Sequence, residues 1–264
     1  MNFFQILLYV LLAYMVMNMF AQSKRAGKES ALVSLVKLID EKDEFFERVN
    51  TLIEGAQSDV MANKFKVLRL WGDAYHGVFD AFDNDLKDID FDLLVHDGDI
   101  GENEDSFFYL YITIPFLLHQ RGRDDLRSVI REKMNAYDDV TKGQMLPLLA
   151  SAADKFFLQE GDLGEATFRM IWEGDYAGMK YNKQLISVYK GICAACLAWI
   201  ARENDREEEY TDFMSCLDSF STTSIGSKWI RALDLKEEDD APEEEEIVDR
   251  VTEVVEEDKE EGGQ

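Results

Sequence analysis

Ala153-Asp154-Lys155-Phe156-Phe157-Leu158-Gln159-Glu160-Gly161-Asp162-Leu163-Gly164-Glu165-Ala166 is the stretch that decides the fold. Apolar residues at helical spacing run into Gln159-Glu160-Gly161-Asp162, where a left-handed glycine can end a helix, and a second helix begins at about residue 163. Two more stops of this kind stand at Gln120-Arg121-Gly122 and Glu203-Asn204-Asp205. From Gly122 to Gly161 is 39 residues and from Gly161 to Asn204 is 43. That interval accommodates two helices and two turns, the size of an α-solenoid unit.

Working outward, the periodicity predicts a long amphipathic helix on Leu32, Leu35, Ile39, Phe46, Val49 and Ile53, ending near Gly55. A second is predicted from about Ser58 to Phe82 on Val67, Trp71, Ala74, Val78 and Phe82, forming an antiparallel pair with the first. Residues 83–105 carry ten acids and read as a long acidic connection holding at most a short strand or turn. The run Phe107–Leu118 is too short to span a bilayer, and Pro115 predicts a buried helix kinked or restarted there. Further helices are predicted at about 123–140, 145–160, 163–174, 180–203, 207–221 and 225–235.

The unit around residues 150–180 resembles the tetratricopeptide repeat: the aromatic Phe156, the Gly161-Asp162 turn and the Glu165-Ala166 pair match its first-helix end and second-helix start. The resemblance covers about thirty residues. It implies a concave surface that binds a protein partner, with no intrinsic catalysis. Arg127 and Glu209 stand where the family places a small residue, and the spacing exceeds the family's roughly 34 residues.

Charge divides the chain. Residues 1–28 carry three positive charges and no acid, 29–235 carry 22 and 39, and 236–264 carry 3 and 15, within a net charge of −26. So acidic a chain repels phosphate backbones, which argues against nucleic acid as a partner. Phe3 to Phe20 is uncharged, with Phe3, Leu7, Leu8, Val10, Leu11, Leu12, Val16 and Phe20 as its apolar substance, and Lys24, Arg25 and Lys28 follow directly. The expectation is a single-pass transmembrane anchor at 1–22 in contact with the lipid bilayer, and a basic juxtamembrane hinge at 23–30. A helical domain at 31–235 would then lie on the cytoplasmic side of the inner membrane. Only Met1 and Asn2 precede the run, too few for the basic leader of a secretory signal. The tail 236–264 is expected to be disordered, with Ile247, Val248, Val251, Val254 and Val255 at helical spacing.

The expected architecture is therefore all-α: an N-terminal transmembrane helix followed by antiparallel helix pairs, α-solenoid or tetratricopeptide-like. Candidate chemistry is sparse. Asp88, Asp90 and Asp92 alternate as calcium ligands do, but Leu93 falls where an EF-hand loop needs glycine. His96-Asp97, with His76 twenty residues upstream, resembles the His-Asp motif of metal-dependent phosphohydrolases, in which these residues would hold a water-activating ion. The competing reading is a surface histidine in an acidic loop. Cys193 and Cys196 share a helix face with Tyr189 and Ile200, which favours packing over redox or zinc chemistry. Trp71, Trp172, Trp199 and Trp229 each fall in an apolar pattern, as core residues do. Three cysteines suit a reducing compartment. These readings lead to a membrane-anchored cytoplasmic scaffold or adaptor with no cofactor and a protein partner. A phosphohydrolase using His76, His96 and Asp97 is the alternative.

Overall fold

A computed structural model describes residues 34–95, 100–176 and 178–235. The chain divides into two compact units, Met1–Cys193 and Ala194–Gln264. Among the described residues the fold is helical, and the one β-pairing is an isolated parallel bridge between Gln144 and Lys180.

In the first unit, helix α1 (Lys42–Glu54) packs antiparallel on α2 (Asp59–His76). Phe45 near the start of α1 meets Trp71 edge-on at 6.0 Å near the end of α2, and Asn50 farther along meets Arg69. Gly72 permits this approach, since a Cβ there would lie 2.3 Å from Phe45 Cε1. The expected continuous helix from Leu32 is broken instead. A helical turn at 34–37 gives way to a turn at 38–40 before α1 begins. The backbone of Ile39 hydrogen-bonds His76, and the Asp40 carboxylate accepts from the Tyr75 hydroxyl. Side chains of α2 thus occupy groups at the point where a continuous helix would run on.

Helix α2 also stops earlier than its apolar spacing predicts. Ser58 Oγ caps its start by accepting from the Met61 N–H, and Gly77, at φ 69°, turns the chain out after His76. A separate helix α3 (Phe79–Lys87) follows and buries Phe82 and Leu86. Half of the predicted acidic connection is therefore helix or tied backbone. Ile89, Phe91, Leu94 and Ile100 are buried. The buried Asn63 amide donates to the Asp90 carbonyl and accepts the Asp90 N–H at 3.1 Å, while Asn103 donates to the Leu94 carbonyl at 2.8 Å.

The central helix α4 runs without a break through three segments: Glu104–Phe108, a π-helical turn at Tyr109–Thr113, and Ile114–Gln120. Pro115 has no N–H to donate and its ring crowds the preceding turn, so the wide turn sits where the sequence predicts a kink. Helix α5 (Asp124–Asn135) returns along α4. After a single turn at Asp138–Thr141 come α6 (Met145–Phe157) and α7 (Glu165–Glu173), which pack together. Helix α8 (Ile186–Glu203) begins in the first unit and ends in the second. In the second unit α9 (Glu207–Cys216) and α10 (Ser224–Ala232) follow, and Arg202 donates to the carbonyls of Leu233 and Asp234.

One expectation is corrected. The described residues show all-α helix pairs, and no helix among them is long and apolar enough to cross a membrane, so the transmembrane part of the expected architecture has no support in them. The apolar stretch Phe107–Leu118 spends its hydrophobicity inside the fold, packed against α2, α5 and α6. The residues assigned to the anchor (Phe3, Leu7, Leu8, Val10, Leu11, Leu12, Val16, Phe20) and to its collar (Lys24, Arg25, Lys28) lie outside the described residues. The tail 236–264 lies outside them too.

Candidate functional site

The three phosphohydrolase candidates do not fare alike. His76 occupies the last turn of α2, with its ring 4.9 Å from Tyr75, 5.9 Å from Phe46 and 6.5 Å from Phe45. Burial among these rings holds its pKa below the ordinary histidine value, and its Nε2 has no hydrogen-bond partner. His96 and Asp97 lie outside the described residues. Among the described residues no group of three or more His, Cys, Asp or Glu side chains is placed to hold a metal ion.

The alternating acids diverge rather than converge. Asp88 pairs with Arg69 at 3.2 Å, the Asp90 side chain accepts the Asp92 N–H, and the Asp92 carboxylate accepts from Tyr137 at 2.9 Å. Phe91 stacks on Tyr137 at 6.0 Å beside that bond. The acids thus strap the connection to α2 and to the turn that follows α5. Cys193 and Cys196 are buried, and burial pushes the Cys193 thiol far above its usual range, against nucleophilic use. Trp71 and Trp229 are buried, as their apolar spacing predicts, while Trp172 and Trp199 are partly exposed.

The hairpin of α6 and α7 is built as its sequence implies. Phe156 meets Phe168 edge-on at 6.0 Å. Gly161 and Gly164 both adopt left-handed φ, and Asp162 Oδ1 accepts the Gly164 N–H at 3.1 Å. Gly164 lies so close to α6 that a Cβ would come within 2.9 Å of three atoms of Ala152. Gly174, at φ 83°, ends α7. Where a small residue was expected, Arg127 on α5 is 9% exposed and spans to α6 by charge. It bonds Asp124 at 2.8 Å and Asp154 at 3.2 Å, and Arg131 holds the other Asp154 oxygen at 2.7 Å. Helix pairs α4–α5 and α6–α7 are joined by this cluster.

Beside α6 lies an open groove of about 370 Å³, lined in part by Thr141, Lys142, Gln144, Pro147, Leu148 and Met179. Its rim is the short bridge in which Met145 N–H donates to the Lys180 carbonyl and Lys180 N–H to the Gly143 carbonyl. The spacing predicted helix from about residue 180, so the groove was not visible. Gly143 and Gly178, both at left-handed φ, turn the chain on either side of the bridge and interrupt helix there.

A second cluster also escaped sequence reasoning. Asp73 on α2 is 1% exposed, and its carboxyl hydrogen-bonds the carboxyl of Asp85 on α3. Arg69, one turn earlier on α2, donates through Nη2 to Asp85 at 2.8 Å and Asp88 at 3.2 Å. Burial first, and the Asp85 carboxyl second, push Asp73 up to about 8. The i,i+4 spacing of Arg69 and Asp73 predicts an ion pair along the helix, but the guanidinium is given to α3 instead. On α4, buried Glu104 accepts from the buried Tyr189 hydroxyl at 2.6 Å.

These features define an all-helical protein of packed antiparallel helix pairs with a groove beside one of them. No protein family, no curated protein and no solved structure matches the chain.

Proposed function

We propose that this protein is a non-catalytic scaffold or adaptor that binds a protein partner through the surface of its helix pairs. The observation that carries the reading is the α6–α7 hairpin, whose turn carries the tetratricopeptide-like residues and beside which the groove opens. A net charge of −26 favours a basic partner surface and speeds its encounter at low salt. The chemistry-bearing side chains support the same reading: Asp88, Asp92, Glu104 and Arg127 are each engaged within the fold. Cys193, Cys196 and Cys216, none of them in a disulfide, fit a reducing compartment, where we place this body.

Photo-crosslinking in cells tests it. A crosslinking residue at Leu148 should capture a defined protein whose yield falls as salt rises, whereas one at Val129, exposed on α5, should not. Failure to capture any protein at either position, at any salt concentration, refutes the reading. One equivalent of divalent metal in the purified chain, lost on His96→Ala, would replace it with the phosphohydrolase.

A further inference from the structure

Two carboxyl oxygens cannot share a hydrogen bond unless one of them carries a proton. Asp73 and Asp85 share one across the α2–α3 corner, and among the described residues the cation beside both is Arg69. Arg69 is already divided between Asp85 and Asp88, its Nη1 reaches Asn50 of α1 at 3.4 Å, and its Nε has no hydrogen-bond partner. Asp73 Oδ2 likewise has none. The corner therefore holds its three carboxyls and one guanidinium only while a proton remains on the pair.

We propose that Arg69, Asp73 and Asp85 form a proton-dependent latch that fastens α3, and the connection 88–95 that follows it, onto α2. The groups around the latch leave it to titrate by itself. From α1 comes the neutral Asn50, and from α3 and its end come Asp85 and Asp88. On α4, Asp105 is held by Lys64 at 3.2 Å and Tyr109 packs on Trp71, while Asp92 of the turn at 92–94 is held by Tyr137. When the shared proton leaves for solvent, a second buried anion faces a guanidinium whose two Nη groups are already engaged and whose Nε makes no hydrogen bond to it. Opening the corner then hydrates Asp73 at no further proton cost. The Lys66 bond to the Asp88 carbonyl and the Asn63 clasp on Asp90 are the next contacts along the same strap, so the loosening extends into 88–95.

The test is hydrogen exchange of the full chain, read by mass spectrometry from pH 5 to pH 8 and corrected for the intrinsic rate of each amide. Between the ordinary carboxyl range and that of the latched Asp73, the closed corner holds one more proton than the open one. Opening of segment 79–95 should therefore rise about tenfold per pH unit and level off above about pH 8. Peptides from 207–232 serve as an internal reference. Asp73→Asn, which keeps the hydrogen bond without the titration, should abolish the slope. If Asp73→Asn does not fold, Asp85→Asn makes a second comparison: it removes the carboxyl partner and leaves the burial of Asp73, so the slope should persist but level off at a lower pH than in wild type. A wild-type response that is flat over this range, a slope that survives in folded Asp73→Asn, or a plateau that does not move in Asp85→Asn overturns the latch.

Discussion

Replacing Gly164 by alanine tests the hairpin on which the proposed binding surface rests. At φ 73° an alanine costs about 1 kcal/mol in backbone strain relative to glycine. Its Cβ would also lie 2.8 Å from Ala152 Cβ, 2.8 Å from the Ala152 carbonyl oxygen and 2.9 Å from its Cα. Two of these are backbone atoms of α6 and cannot rotate away, so α6 and α7 must separate, at about 1–3 kcal/mol for overpacking. The total is about 3 kcal/mol, or a loss of about 6–12 °C in Tm for a body of this size. Gly161→Ala supplies the comparison. Its φ is 58° with nothing within 4 Å of the added carbon, so it should cost only the strain, about 1 kcal/mol. Urea unfolding followed by circular dichroism measures both. If the two variants unfold within about 0.5 kcal/mol of each other, Gly164 is not the contact that seats α7 on α6, and the hairpin is assembled differently.

Other perturbations probe separate parts of the first unit. Burial lowers the pKa of His76, so the folded chain binds its proton less readily than the unfolded chain. Its contribution is fully present above the ordinary value of 6.5 and is lost as pH falls below it; His76→Gln should flatten the decline in Tm between pH 7 and pH 5, and an unchanged profile would refute this. Asn63→Ala strips both partners from the Asp90 backbone and should cost about 2 kcal/mol, with faster proteolytic cleavage between residues 88 and 95 than in wild type. Asp154→Ala leaves Arg127 with Asp124 alone and Arg131 without its carboxylate, for about 1–2 kcal/mol by denaturant midpoint; adding Arg127→Met should recover part of that loss, and strict additivity would deny the coupling.

Helix ends governed by glycine were legible where the apolar pattern ended with them. Gly161, Gly164 and Gly174 bound α6 and α7 as their spacing implies, because a left-handed residue is a local requirement. Gly77 does the same, yet Val78 and Phe82 continue the four-residue rhythm beyond it, and periodicity cannot distinguish one long helix from two that bury the same side. The acidic connection misled through its charge. Ile89, Phe91 and Leu94 settle it on the body, but their burial depends on Asn63 and Tyr137, which are 26 or more residues distant from Ile89. The Asp73–Asp85 corner and the groove by α6 are tertiary in the same sense. Neither arises from any window of sequence short enough to show a period. The anchor was inferred from a run outside the described residues, and inside them the comparable apolar run became the centre of a core.

The wide turn in α4 gives that helix an elasticity its neighbour lacks. An α-helix advances its side chains by about 100° per residue, and a π turn absorbs one residue more than the regular spiral would. If a residue were removed from Tyr109–Thr113, the turn could tighten to ordinary pitch, leaving Phe107 on one side and Leu117 on the other near their present bearings. The same excision from α2, eighteen residues of regular helix, would swing half of its buried face toward water. Of the two, α4 is thus the helix that can lose one residue without turning its buried face.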